Sequence, residues 1–534
     1  MSRCSIVVIV LRNTKEIRDS GSVGRARPCQ GRGRGFEPRL SLLKGIALRN
    51  SFFRVIIILI VKMCFEKRQV SFLSQIIEEQ NPLGTEHIGK LIPKFAIPSI
   101  ISMVVSSLYN IVDQIFIGQG VGMLGNAATN IAFPVTIICT ATALLLGIGS
   151  ASNYNLASGE GEQEKASAIA GTGLSVIVMS GVVITVVVLI FLDPLLQLFG
   201  VTPDILPYAQ DYVGITAFGL PFYILINGGT QLIRADRSPT YSMVCMLTGT
   251  ILNTILDPLF IFVFNWGIQG AAAATVIGQF VSGMLVIVYF LKFQKMKITR
   301  KLLIPKLCYL KLIASLGMAS FINQIALAVV QIVMNNTLRY YGAASVYGTE
   351  IPLACVGVIA KVNMIFISIC IGLSQGCQPI WGFNYGAKAY KRVKETYKRA
   401  FQISALVGGC FFICFQIFPR TIVSIFGSGS ELYFDFAEKY FRIFMFMTFA
   451  NGLKPISSGF FTSIGKAKLG IFTSLTRQVM FLIPLILIFP LFFGINGVMY
   501  AGPIADLAAA VVAISFAVRE LKKMKNENKN CLSV

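Results

Sequence analysis

Histidine is almost missing: one, His87, in 534 residues. A histidine-based metal site needs several such ligands, and a serine or cysteine nucleophile needs an imidazole beside it. With His87 ahead of the apolar body, most hydrolytic and metal-dependent enzyme classes lose their general base. Charge is scarce as well. Only 13% of residues are charged and 55% are apolar, against roughly a quarter charged in a soluble domain, which excludes an ordinary soluble fold. Acidic residues number 24 against 47 basic ones, for a net charge of +23; in a soluble chain that excess would point to nucleic acid, so its location matters. Cysteine is not scarce, at 12. Yet Cys139, Cys245, Cys355, Cys370, Cys377, Cys410 and Cys414 fall in apolar segments without metal-ligand spacing and read as small buried hydrophobes.

The positive excess is concentrated at the front, where residues 1–62 hold 13 Lys/Arg against 3 Asp/Glu. Residues 21–43 are rich in arginine and glycine and have no periodic apolar face, so no fold is expected there. Residues 51–61 are apolar but below spanning length, interrupted by Arg54, and lack the small-residue cleavage site of a secretory signal. The string RGRGFEPRLSL also resembles the conceptual translation of a transfer-RNA gene. The expectation is that Met63 is the native start and 1–62 a non-native or disordered extension; the alternative is an unfolded basic tail that binds RNA.

What remains is a series of long apolar runs, each near the roughly 20 residues that cross a bilayer. They predict spans at 91–116, 127–150, 167–192, 208–233, 239–263 and 268–291, then, after a gap, at 311–338, 346–374, 396–419, 434–458, 469–493 and 496–518. The fold class is thus an all-α polytopic membrane protein, twelve transmembrane helices in two six-helix bundles. Short repeats support a duplication: Gly267-Ile-Gln-Gly270 recurs as Gly494-Ile-Asn-Gly497, and the surroundings of Gly147 recur around Gly372. An even number of spans per half makes the repeats parallel, related by a pseudo-two-fold axis along the membrane normal. The expected organisation is a short segment 63–90, a first lobe 91–292, a basic linker 293–310, a second lobe 311–519 and a tail 520–534. Lysine and arginine crowd the linker, residues 388–399 and residues 519–525, which makes that side cytoplasmic, with both termini there, in the plasma membrane of a prokaryote.

Ionisable residues inside spans are costly and are the first functional candidates. Asp113 and Asp257 fall in the outer halves of spans one and five. Asn253 lies four residues before Asp257, on the same helix face, and Pro258 frees a carbonyl one turn back. Thr275 and Asp257 are equidistant from the turn at Trp266, so they can face each other. Asp113, Asn253, Asp257 and Thr275 make an all-oxygen set that can hold a hard monovalent cation, sodium for example, or titrate as a coupled carboxylate pair; Thr275 taken alone can equally bond its own backbone. Secondary polar candidates are Glu350, near the outer end of span eight and able to reach water, Lys361, deeper and in need of a partner, Asp506 in span twelve as that partner, and Gln378. Arg477 and Gln478 are expected to snorkel to the cytoplasmic surface. Gly84-Thr-Glu-His-Ile-Gly89-Lys90 mimics a phosphate loop, but Leu91 stands where a Ser/Thr would hold magnesium and no strand precedes it; no ATP site is expected.

From about Pro82 to Lys525 the chain resembles the multidrug and toxic compound extrusion family, in particular its multidrug export branch. The resemblance is carried by Pro98-Ser-Ile-Ile-Ser102, Tyr109-Asn-Ile-Val-Asp113-Gln-Ile-Phe-Ile-Gly118, Asn253-Thr-Ile-Leu-Asp257-Pro258, Gly270-Ala-Ala-Ala-Ala-Thr275, and Gly372-Leu-Ser-Gln-Gly-Cys-Gln378-Pro379 with Gly382-Phe-Asn-Tyr-Gly386. It implies two bundles around a cleft that faces alternately in and out, exporting organic cations or amphipathic drugs in exchange for sodium or protons, and a cation site falling on Asp113, Asn253, Asp257 and Thr275. Another branch has an acidic cation site in the second lobe. Span ten here carries Lys454 and no carboxylate between Phe444 and Ser458, so that feature does not carry over.

The functional expectation is therefore a secondary active multidrug efflux antiporter, not an enzyme. It needs no cofactor beyond its coupling ion, takes small-molecule, cationic drugs, contacts membrane lipids and no nucleic acid, and is monomeric by default. The alternative is a flippase for a lipid-linked saccharide or peptidoglycan precursor, which would need cationic residues lining the cleft; Lys361 is the one deep candidate.

Overall fold

Uncharged runs of Leu, Ile, Val, Ala and Phe cannot leave backbone N–H and C=O groups to lipid, so each closes on itself as a helix. The computed structural model describes residues 81–426 and 430–532, with side chains through 524; the expectation about Met63 and residues 1–62 lies outside them. The principal helices are α1 (Ile88–Gly120), α2 (Met123–Gly159), α3 (Gln163–Ile190), α4 (Leu206–Ala217), α5 (Leu220–Ala235), α6 (Pro239–Pro258), α7 (Gly267–Lys292), α8 (Leu307–Ala343), α9 (Glu350–Gly386), α10 (Tyr390–Ile417), α11 (Glu431–Phe444), α12 (Leu453–Ser463), α13 (Ala467–Leu475), α14 (Ile483–Phe493) and α15 (Ile495–Leu532). There is no strand among the described residues. Among the described residues, ten helical segments are long and apolar enough to cross a membrane. Several overshoot it: at 1.5 Å per residue a 37-residue helix such as α2, α8 or α9 reaches about 55 Å against a hydrocarbon core of about 30 Å.

Two expected spans are not single helices. Residues 208–233 divide into α4 and α5, bent by 54°, because Pro221 has no N–H to donate and the chain tightens at Phe218 and Gly219, whose amides bond three residues back to Ile215 and Thr216. The span expected at 434–458 is α11, a short turn at Thr448–Asn451, and α12. Pro455 cannot donate to Asn451, and Glu438, Lys439, Arg442 and Lys454 dilute the apolar run. Counting α4 with α5 as one broken span gives six crossings in the first half; in the second, α11 and α12 stand at the place of the sixth beside five long apolar helical segments. Cys410 and Cys414, expected to be buried, are exposed on α10, the side a membrane helix turns to lipid.

Each half builds its own core, one drawn from residues between Ala128 and Ile313 and another from residues between Val330 and Ala505. A third core joins the lobes at the end carrying the lysine-rich loops, where Leu83, Leu91 and Phe95 pack with Leu373, Cys377, Trp381 and Phe460. Here α8 lies against α2 so closely that a Cβ on Gly317 would strike the Leu145 carbonyl. Arg234 reaches across from α5 to the Gln375 Oε1 of α9 at 3.0 Å, and Arg392 clasps the carbonyls of Leu83 and Glu86 at 3.0 and 2.7 Å. Toward the other end α1 exposes Asn110 and Gln114, and α8 exposes Gln331 and Asn335. Among the described residues the buried core shared by the two lobes lies at the basic end and no such core lies at the other, so the cleft expected between the lobes is closed at the basic end.

Candidate functional site

The candidate site is built where α6 and α7 touch. Gly249 and Gly278 bring their backbones together, a Cβ on Gly278 lying only 2.8 Å from the Gly249 carbonyl, and one turn farther the helices present Asn253 and Thr275 to each other. Asn253 Nδ2 donates to Thr275 Oγ1 at 3.3 Å and to Asp257 Oδ1 at 3.1 Å. Asp257 is fully buried and Asn253 nearly so. From α1, Asp113 comes within electrostatic reach of Asp257, close beside Tyr109. All four residues selected from the sequence therefore meet in one place in the first lobe.

Below the site α6 does not end at Pro258 but widens into a π-helical turn, Leu259–Val263. The missing amide of Pro258 makes the i−4 bond impossible there, and such bulges recur at functional sites. Three acceptor atoms, Asp113 Oδ1, Asn253 Oδ1 and Asp257 Oδ2, are buried without any donor. Orphaned buried oxygens are expensive unless something positive comes to them. Two neighbouring carboxyls also cannot both stay ionised without a counter-charge. The set can take up either a proton shared between the acids or a hard cation ringed by oxygens.

Sequence reasoning missed two members. Tyr109 sits one turn before Asp113 and lies within electrostatic reach of Asp113 and Asp257; its i, i+4 spacing from Asp113 was the available signal. Tyr212 comes from α4 to lie within electrostatic reach of both acids, and no local pattern announces it.

The second lobe departs from expectation. Asp506 does not pair with Lys361; its carboxylate takes the Nε of Arg477, and Arg477, expected to snorkel, is 8% exposed beside a 2% exposed Gln478. The reason is helix placement: α9 packs on α1, α2, α10 and α12, whereas α15 packs on α14 and on the π-helical turn Thr476–Leu482 that carries Arg477. Lys454, in the first turn of α12, lies within electrostatic reach of both. Lys361 and Gln378 are half-buried and apart from this cluster, and Glu350 is exposed at the start of α9. The phosphate-loop mimic is a short helix, Pro82–Thr85, followed by His87, whose Nδ1 caps α1 by accepting from Gly89 N at 3.1 Å.

Comparison with known proteins agrees with this layout. The MatE family model matches residues 98–259 and 319–488, once in each lobe and together more than half of the chain. A multidrug export protein MepA from Staphylococcus haemolyticus (strain JCSC1435) is 25% identical over 446 residues, covering 83% of this chain and 96% of that protein. A protein of the same name from Staphylococcus aureus (strain bovine RF122 / ET3-1) is 26% identical over 336 residues, 62% of this chain and 72% of that one. Among solved structures, a MATE P26A mutant has a TM-score of 0.78 at 23% identity, over 83% of this chain and 98% of that one. An outward-facing MATE family multidrug resistance transporter of the MOP superfamily gives 0.76 at 24%, over 82% and 97%. These likenesses carry the fold. With both lobes matched by the family model, the chain belongs to the MatE family of membrane transporters.

Proposed function

We propose that the protein is a multidrug exporter of the plasma membrane that expels organic cations or amphipathic drugs in antiport with sodium ions or protons. The observation that carries this is the trio of donor-less buried oxygens on Asp113, Asn253 and Asp257, in the lobe wall beside a cleft closed at one end. The names of the staphylococcal relatives support multidrug export. The positive-inside rule makes the basic end cytoplasmic, and the cleft is then closed on the cytoplasmic side.

In this reading Asp113 and Asp257 are the coupling pair, Asn253 and Thr275 hold them in register, and the ion is cargo. Its binding discharges the two acids and changes how α1 packs on α6 and α7. An ion drives export only through unequal affinity for the inward and outward states, and the drug then opposes the ion by a reciprocal coupling of about 1–3 kcal/mol. An ionised pair attracts a cationic drug; a neutralised pair releases it outward.

The test is ethidium efflux from orientation-controlled proteoliposomes under a sodium gradient or a proton gradient, imposed separately. Efflux under one gradient, lost in Asp113→Asn/Asp257→Asn, is the expected result. Gradient-driven efflux that survives the double substitution removes the site from the mechanism, and no efflux under either gradient removes the proposed function.

A further inference from the structure

Residues 293–306 join the lobes, and they are fixed as a strap along the first lobe instead of looping free. Ser167 Oγ of α3 donates to the Met296 carbonyl and Ser175 Oγ, farther along α3, to the Leu303 carbonyl, each at 2.5 Å. Lys295 N donates to Asp236 at 2.6 Å, and Gln294 closes a turn with Ile298 through two bonds of 3.0 Å. Between the two serines Gly171 leaves room for the Leu302 carbonyl, where a Cβ would intrude. One edge of the strap is thus committed to protein.

Its other edge is basic and greasy. Lys297, Arg300, Lys301 and Lys306 are exposed, with Lys292 and Lys311 at the flanking helix ends. Residues 292–311 contain no acid, and among the described residues none of these six side chains is in an ion pair. Among them stand Leu303, Ile304 and Leu307, 37%, 68% and 68% exposed. Because the strap leaves one membrane span, α7, and enters another, α8, it runs at the level where spans emerge from hydrocarbon. Aliphatic side chains there can enter the acyl boundary while lysine and arginine heads reach phosphates.

We propose that this edge is a binding surface for anionic phospholipid headgroups of the leaflet it faces. Other basic loops at the same end share the sign of charge. The strap differs in having its backbone already pinned, so that its charges engage phosphodiesters without paying the full cost of ordering a loop. Bound headgroups would anchor the first lobe in the leaflet, leaving the second to move from α8 onward.

The test uses the purified full chain in detergent with phosphatidylglycerol and phosphatidylcholine, counting retained lipids by native mass spectrometry. Wild type is expected to prefer phosphatidylglycerol. Lys297→Gln/Arg300→Gln/Lys301→Gln should cut that preference by about fivefold per charge, roughly a hundredfold in all. Ser167→Ala/Ser175→Ala, which keeps every charge but frees the strap, should lower it as well. Absence of preference in wild type overturns the proposal. So does an equal loss on neutralising Lys388, Lys391 and Lys398 in the second lobe, or an unchanged preference when the two serines are removed.

Discussion

Replacing Asp506 by Asn should destabilise the second lobe more than replacing Arg477 by Gln, although the two form one ion pair. The asymmetry comes from Lys454, the third charge in the cluster. With Asp506 neutral, two cations face each other across a buried site, and leaving buried charge uncompensated costs about 3–5 kcal/mol. With Arg477 removed, Asp506 keeps the ammonium of Lys454 as its counter-charge, so the loss is nearer that of a charged hydrogen bond, about 1.5–3 kcal/mol. Adding Lys454→Met to Asp506→Asn removes one of the two opposed cations and should recover part of the loss. Thermal retention of the monodisperse detergent-solubilised protein, compared across the three variants, reads the order directly. Equal losses for the two single variants, or no recovery on adding Lys454→Met, would refute the three-charge reasoning.

Two further outcomes are expected. Burial pushes the Asp236 carboxyl, outside the spans, from its ordinary 3.8 up to about 6, against the pull of the Lys295 amide and the Tyr289 hydroxyl. The folded state then holds its proton more tightly than the unfolded one, so this contribution is full below about pH 4 and lost as pH rises through about 6. Asp236→Asn should flatten that decline, roughly 2–3 kcal/mol, in thermal stability measured from pH 4 to 7; an unaltered slope would count against it. Gly317→Leu forces a side chain into the Leu145 carbonyl, and overpacking of about 1–3 kcal/mol should part the lobes at the basic end. The Cys377 thiol, fully buried in the core that joins them, reports this as faster maleimide labelling, and labelling at the wild-type rate contradicts the close-contact reading.

Much of the site was legible because helix periodicity is local. Asn253 and Asp257 share a face by spacing alone, and Thr275 follows from counting back from one turn at Trp266. Asp113 could be given a depth, though not a neighbour. Tyr212 could not be found, since it comes from α4 and only helix packing sets it near the acids. The pairing of Asp506 failed for the same reason: depth along the span singled out Lys361 and set Arg477 aside as a surface group, and depth cannot say which helix is next to which.

The apolar runs by themselves determined that the chain is helical, how many times it crosses and which end is basic, because each follows from backbone hydrogen bonding in lipid and from charge along one dimension. Tertiary structure decided the bend between α4 and α5, the break before α12 and the two π-helical turns. It also decided the exchange of partners at Asp506 and the docking of the linker on α3. These depend on proline geometry within packed bundles and on contacts between residues far apart in sequence, which no run of hydrophobicity records.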